Sequence, residues 1–101
     1  MYDGVMKRND ASLNERLQRA AQVLKTLGAQ DVFMFGSVAR GRMHEGADVD
    51  LAVTGLPPER FFAAMGQASR ILDRDLDLID LDEPTPFTRY LKEEGELVRV
   101  G

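Results

Sequence analysis

One stretch, Phe35 to Leu51, limits what this chain can fold into more than any other, because it demands a strand, a sharp turn and a second strand in fixed order. An apolar run ending at Phe35 meets Gly36-Ser37, the basic residues Arg40 and Arg42 follow, and Asp48 and Asp50 then alternate into Leu51 to Val53. In a strand, residues i and i+2 project from one face, so Asp48 and Asp50 point the same way. Like charges about 4 Å apart cost roughly 4 kcal/mol at an effective dielectric near 20, so such a pair takes up a proton or recruits a cation. Oxygen ligands on a rigid strand suit Mg²⁺, which is held by one or two carboxylates together with substrate phosphates.

Upstream of the acids, a strand that stops at Gly36-Ser37 and turns into a short helix aims backbone N–H groups and the Ser37 hydroxyl at an anion, with the glycine permitting close approach. Two better-known phosphate motifs are excluded. Gly36 and Gly41 have Walker A separation but are followed by Arg42-Met43 where Lys and Ser/Thr are required, and Val38 breaks a Gly-x-Gly-x-x-Gly reading. Taken singly, Gly-Ser is a common turn and Asp-x-Asp a common solvated strand face; their joint spacing carries the inference.

Gly36-Ser37, ten residues, then Asp48-x-Asp50 resembles the signature of minimal nucleotidyltransferases, small relatives of the DNA polymerase beta palm. The resemblance covers Phe35 to Val53 and resumes at Asp77-Leu78-Ile79, where it implies that Asp77 is a third carboxylate beside Asp48 and Asp50. Asp75 is the competing candidate. Ala47 departs from the pattern, standing where Ser usually precedes the first Asp and removing a hydroxyl beside the expected metal site.

A chain of 101 residues, 44% of them hydrophobic, supports one domain with a single modest core. The net charge is −4, and the basic residues are dispersed apart from Lys7-Arg8 and the Arg40/Arg42 pair, which argues against long nucleic acid as a partner. With no cysteine, disulfides and thiolate metal sites are excluded. No apolar run reaches membrane-spanning length and the first ten residues lack an apolar signal core, so a cytoplasmic protein is expected.

Residues 1–11 read as a flexible leader, and residues 12–101 as one nucleotidyltransferase domain. Ser12-x-x-Glu15 has the form of a capping box, and Leu13, Leu17, Ala20, Leu24 and Leu27 recur at helical spacing until Gly28. Asp31 to Phe35 has strand composition, the loop 42–46 holds the single histidine, His44, and Asp48 to Thr54 forms the next strand. A helix with Pro58 in its first turn then carries Phe61, Met65, Ala68 and Leu72 on one stripe, and Gly66 in its middle is expected to permit close packing. In the acidic run 73–83, strand parity sets Asp75 and Asp77 on one face and Asp80 on the other. A short helix, Phe87 to Glu94, with Phe87, Tyr90 and Leu91 on one side, precedes an alternating edge strand, Glu96 to Val100. The expected fold is α/β (α+β), a polymerase beta-like palm with a mixed sheet of about four strands and helices packed on one face.

The resemblance implies AMP transfer from ATP to a hydroxyl: the β- and γ-phosphates at Gly36-Ser37, magnesium ions on Asp48, Asp50 and Asp77, and Arg40 and Arg42 offsetting triphosphate charge. Polymerase-like palms usually carry a helical neighbour that helps hold the second substrate, and these 101 residues leave none to read, so the acceptor is expected to be presented by something else. Members of this length are often encoded with a HEPN-domain toxin, and some act as antitoxins by adding AMP to its tyrosine. Two other readings stay open: transfer to a small-molecule hydroxyl, as in aminoglycoside nucleotidyltransferases, and a binding-only antitoxin or nucleotide sensor without turnover.

Overall fold

The computed structural model describes residues 2–41 and 48–101, with side chains described for residues 13–36, 39–41 and 48–101. Arg42, His44 and Ala47 therefore lie outside the described residues, as do the side chains of Ser12 and Ser37.

Helix α1 (Tyr2–Thr26) buries Leu17, Ala20, Ala21 and Leu24, residues spaced at the three- and four-residue intervals of a helix face. It begins ten residues earlier than the expected cap at Ser12, which instead sits inside the helix. Propagation adds one hydrogen bond per residue once a helix is nucleated, and residues 2–11 contain no proline to interrupt it. The end falls where the sequence places it. Ala29 N–H donates to the Leu24 carbonyl and Gly28 N–H to the Lys25 carbonyl, both at 3.0 Å, with Gly28 at φ 127°, the paired bonds of a Schellman stop.

Four strands follow: β1 (Asp31–Phe35), β2 (Val49–Thr54), β3 (Leu76–Asp80) and β4 (Val98–Arg99). Their spatial order is β3-β2-β1-β4, with β1 antiparallel to both neighbours and β2 parallel to β3. Parallel neighbours need a crossover, and helix α3 (Phe61–Leu72), entered through a 3-10 turn at Pro58–Arg60, supplies it. A four-residue helix, α2 (Gly36–Ala39), leaves the end of β1, and α4 (Pro86–Glu93) leads into β4.

Strand alternation sorts the core. Val32, Val49, Leu51, Val53 and Leu78 face α1 and the Ala64, Ala68 and Leu72 stripe of α3, giving the two longer helices one shared face of the sheet. Phe35 and Ala52 turn to the opposite face, where Leu81 and Leu91 of α4 close a second, smaller cluster. Thr85 caps α4 reciprocally with Thr88, and Pro86 takes the first helical position.

Three local expectations change. The short helix expected over Phe87 to Glu94 runs from Pro86 to Glu93, and of its apolar side only Leu91 is buried, Phe87 and Tyr90 being 47% and 52% exposed. Gly66 does not mediate close packing, since a Cβ there would meet nothing within 4 Å. The last strand is also shorter than the alternating run 96–100, although Val100 N–H prolongs the pairing by donating to the Val32 carbonyl at 2.8 Å. Among the described residues no helix is long and apolar enough to cross a membrane.

Candidate active site

The sheet registers bring the acidic residues together. Antiparallel pairing sets Phe35 opposite Asp50, so the chain leaves β1 beside that carboxylate, and parallel pairing sets Asp50 opposite Asp77. Neighbouring strands lie about 4.8 Å apart. Because Val49 and Leu51 face the large core, Asp50 faces away from it; because Leu78 faces the same core, Asp77 also faces away, so both acids share a face. Asp48 is exposed two residues before Asp50, at the entrance to β2.

Gly36 is where backbone and site meet. It holds φ 71°, a left-handed conformation that turns β1 into α2, and a Cβ on it would lie 2.5 Å from Asp50 Oδ2. Any larger residue would therefore pay twice, in backbone strain and in displacement of a carboxylate. The four residues of α2 make too short a helix for its dipole to matter much.

Asp50 is the acid most affected by the arrangement. Burial pushes its carboxyl above the ordinary range, and the negative charges of Asp77 and Asp48 push it further in the same direction. This donor set is made of oxygens alone and is electrostatically short of positive charge, which suits a hard divalent cation. Among the described residues, no group of three acidic or histidine side chains already converges as a metal-binding cluster. Of the neighbouring acids, Asp80 Oδ1 accepts from Asp82 N–H at 2.9 Å, while Asp75 precedes β3 and its backbone carbonyl accepts from Val49 N–H at 3.0 Å.

Arg40 follows α2 and sets its Nε 3.5 Å from Glu96 Oε1. Their side chains are 54% and 72% exposed, so the pair contributes little to stability and is readily exchanged for another anion. Sequence inspection does not single out Glu96, which meets Arg40 only because β4 pairs with β1. Nor does it show that the Phe87 ring packs edge-on to Phe35, with centroids 6.1 Å apart, one residue from the Gly36 turn.

A small mixed sheet with its longer helices on one face and acids from two adjacent strands beside a glycine turn is the architecture of polymerase beta-like nucleotidyltransferases. The model of the family described as Polymerase beta, Nucleotidyltransferase matches residues 12–99, and the chain belongs to that family. Among solved structures, it is similar to one described as a minimal nucleotidyltransferase (23% identity, 85% of this chain and 92% of the other, TM-score 0.70). It is also similar to a toxin-antitoxin structure with AMP-PNP (23% identity, 79% and 69% coverage, TM-score 0.63). A third is the toxin-antitoxin MntA-HepT (18% identity, 85% and 71% coverage, TM-score 0.59). No curated protein matches the chain in sequence.

Proposed function

We propose that this nucleotidyltransferase moves AMP from ATP to a hydroxyl of a partner protein, a tyrosine of a HEPN-type toxin, and so acts as the antitoxin of a pair. The observation that carries the reading is the register that sets Asp50 beside Asp77 with the Gly36 turn packed against Asp50. The similarity to a toxin-antitoxin structure with AMP-PNP supports the nucleotide and the kind of partner.

In this reading, Asp48, Asp50 and Asp77 would hold Mg²⁺, which would supply neutralisation of the charge that develops during phosphoryl transfer. Backbone N–H groups at Gly36 and Ser37, with the Ser37 hydroxyl, hold the β- and γ-phosphates. Arg40 exchanges Glu96 for a triphosphate oxygen, and Arg42 adds a second positive charge. Asp77, on the outer of the two acid-bearing strands, serves the acceptor side. The acceptor oxygen bonds to the α-phosphorus, the bond from that phosphorus to the β-phosphate oxygen breaks, pyrophosphate leaves, and the hydroxyl proton passes to water.

The test is to incubate the chain with ATP, Mg²⁺ and a HEPN protein encoded beside it, followed by intact-mass and peptide mass spectrometry. The expected result is one added adenylyl group on a partner tyrosine and none on this chain, abolished by EDTA, by Asp50→Asn and by Asp77→Ala. Modification of an aminoglycoside with no partner present would overturn the choice of acceptor. Undiminished toxin neutralisation by a variant lacking all three carboxylates would overturn catalysis.

A further inference from the structure

Away from the carboxylate cluster, the outer edge of β3 borders a groove of about 680 Å³. Among the described residues β3 is the terminal strand of the sheet and pairs only with β2. In that parallel ladder, Val49 N–H donates to the Asp75 carbonyl and Leu81 N–H to the Val53 carbonyl, so residues 75, 77, 79 and 81 direct their backbone groups at β2. Leu76 and Leu78 consequently turn their N–H and C=O groups outward, a template for one more strand.

Side chains complete the template. Leu78 and Ile79 form part of the groove floor, Phe62 from α3 stands on one side and Phe87 from α4 on the other. Phe62 is 78% exposed, the most exposed large apolar side chain among the described residues, and is propped edge-on against Phe61 at a centroid distance of 5.7 Å. Aromatic residues held open on both flanks of an open strand edge match the way extended peptides are taken up by sheets, where backbone bonds give affinity and side-chain pockets give specificity.

Charge selects the occupant. The three charged residues lining the groove, Asp80, Asp82 and Glu83, are all acidic. A second copy would bring the same acids against its own, and the whole chain carries a net charge of −4. We infer that the β3 edge docks an extended segment of a different protein, in which apolar side chains that pack beside Phe62 alternate with Lys or Arg drawn by the negative charge of Asp80, Asp82 and Glu83. The docking requires no nucleotide and no turnover, so it stands or falls apart from the transfer reaction.

A capped heptapeptide alternating Lys and Val serves as the probe, with its Glu/Val counterpart as control. The Lys/Val peptide should bind in fluorescence anisotropy and slow hydrogen exchange at the Leu76 and Leu78 amides by about tenfold or more. Phe62→Ala should weaken binding by about fivefold or more. Glu83→Lys should weaken it and flatten its salt dependence. Both side chains are exposed, so neither change should disturb folding. Failure of the Lys/Val peptide to bind, equal binding of the Glu/Val peptide, unprotected Leu76 and Leu78 amides, or indifference to Phe62→Ala would each overturn the inference. So would a dimer in sedimentation equilibrium that protects those same two amides.

Discussion

Gly36 and Asp50 show how closely one residue's backbone can be tied to another's chemistry. Gly36→Ala would place a methyl 2.5 Å from Asp50 Oδ2 at a φ of 71°. It should cost about 1 to 3 kcal/mol in denaturant melts and displace the carboxylate, lowering nucleotide binding as well. Asp50 itself should behave in the opposite sense. Its folded-state proton affinity is raised by burial and by Asp77 and Asp48, so its contribution to stability is complete below the ordinary carboxylate pKa and is lost as pH rises through the raised value. In EDTA at neutral pH, Asp50→Asn should therefore melt at or above the wild-type temperature, and its stability should vary less as pH rises from about 4. A large loss of metal-free stability in Asp50→Asn would make Asp50 a structural residue. Asp31 provides the contrasting sign: its hydrogen bond from Arg99 lowers its pKa, so its contribution is present above the ordinary value and lost as pH falls through the lowered one.

Among the elements, β3 gives the sharpest comparison. Asp77→Ala should cripple transfer while sparing most ATP·Mg²⁺ binding. Asp80→Ala should keep activity and lose about 0.5 to 1.5 kcal/mol, the worth of its bond from Asp82 N–H. An inactive Asp80→Ala enzyme would mean the wrong face has been assigned to catalysis. In α3, Gly66→Ala should stabilise the protein by about 0.5 to 1 kcal/mol, because a Cβ there meets nothing within 4 Å and helical glycine is entropically costly. The strand faces were legible in the sequence because period-two alternation around Asp50 and Asp77 has one reading once Leu51 and Leu78 are buried, whereas Asp48, expected in the strand, precedes β2. The stop of α1 was legible because Gly28 has a local job. Its start was not, since Ser12-x-x-Glu15 satisfies a capping pattern whether or not the helix continues through it. Gly66 was misread because composition cannot say whether a glycine faces a neighbour or open space, and the Arg40–Glu96 pair was invisible because only the β1–β4 pairing brings residues so distant in sequence together.

At the scale of the whole molecule, the described elements are all spent on one sheet and its two faces, and none forms a second lobe over the carboxylates. Holding a hydroxyl in line with a phosphorus can contribute about 7 to 11 kcal/mol to lowering a barrier in well-oriented cases. In the proposed function, the partner supplies that orientation, while this chain supplies the carboxylates, the glycine turn and the arginines. The central claim is that Asp48, Asp50 and Asp77 form one cation-dependent nucleotide site, and calorimetric titration of a non-hydrolysable ATP analogue with Mg²⁺ tests it most directly. Wild-type protein should bind the analogue with Mg²⁺ and lose it in EDTA; Asp50→Asn should fail to bind at any Mg²⁺ level while remaining folded; and Asp77→Ala should retain most of the affinity. Analogue binding by Asp50→Asn at wild-type strength, or wild-type binding that is indifferent to EDTA, would contradict the account.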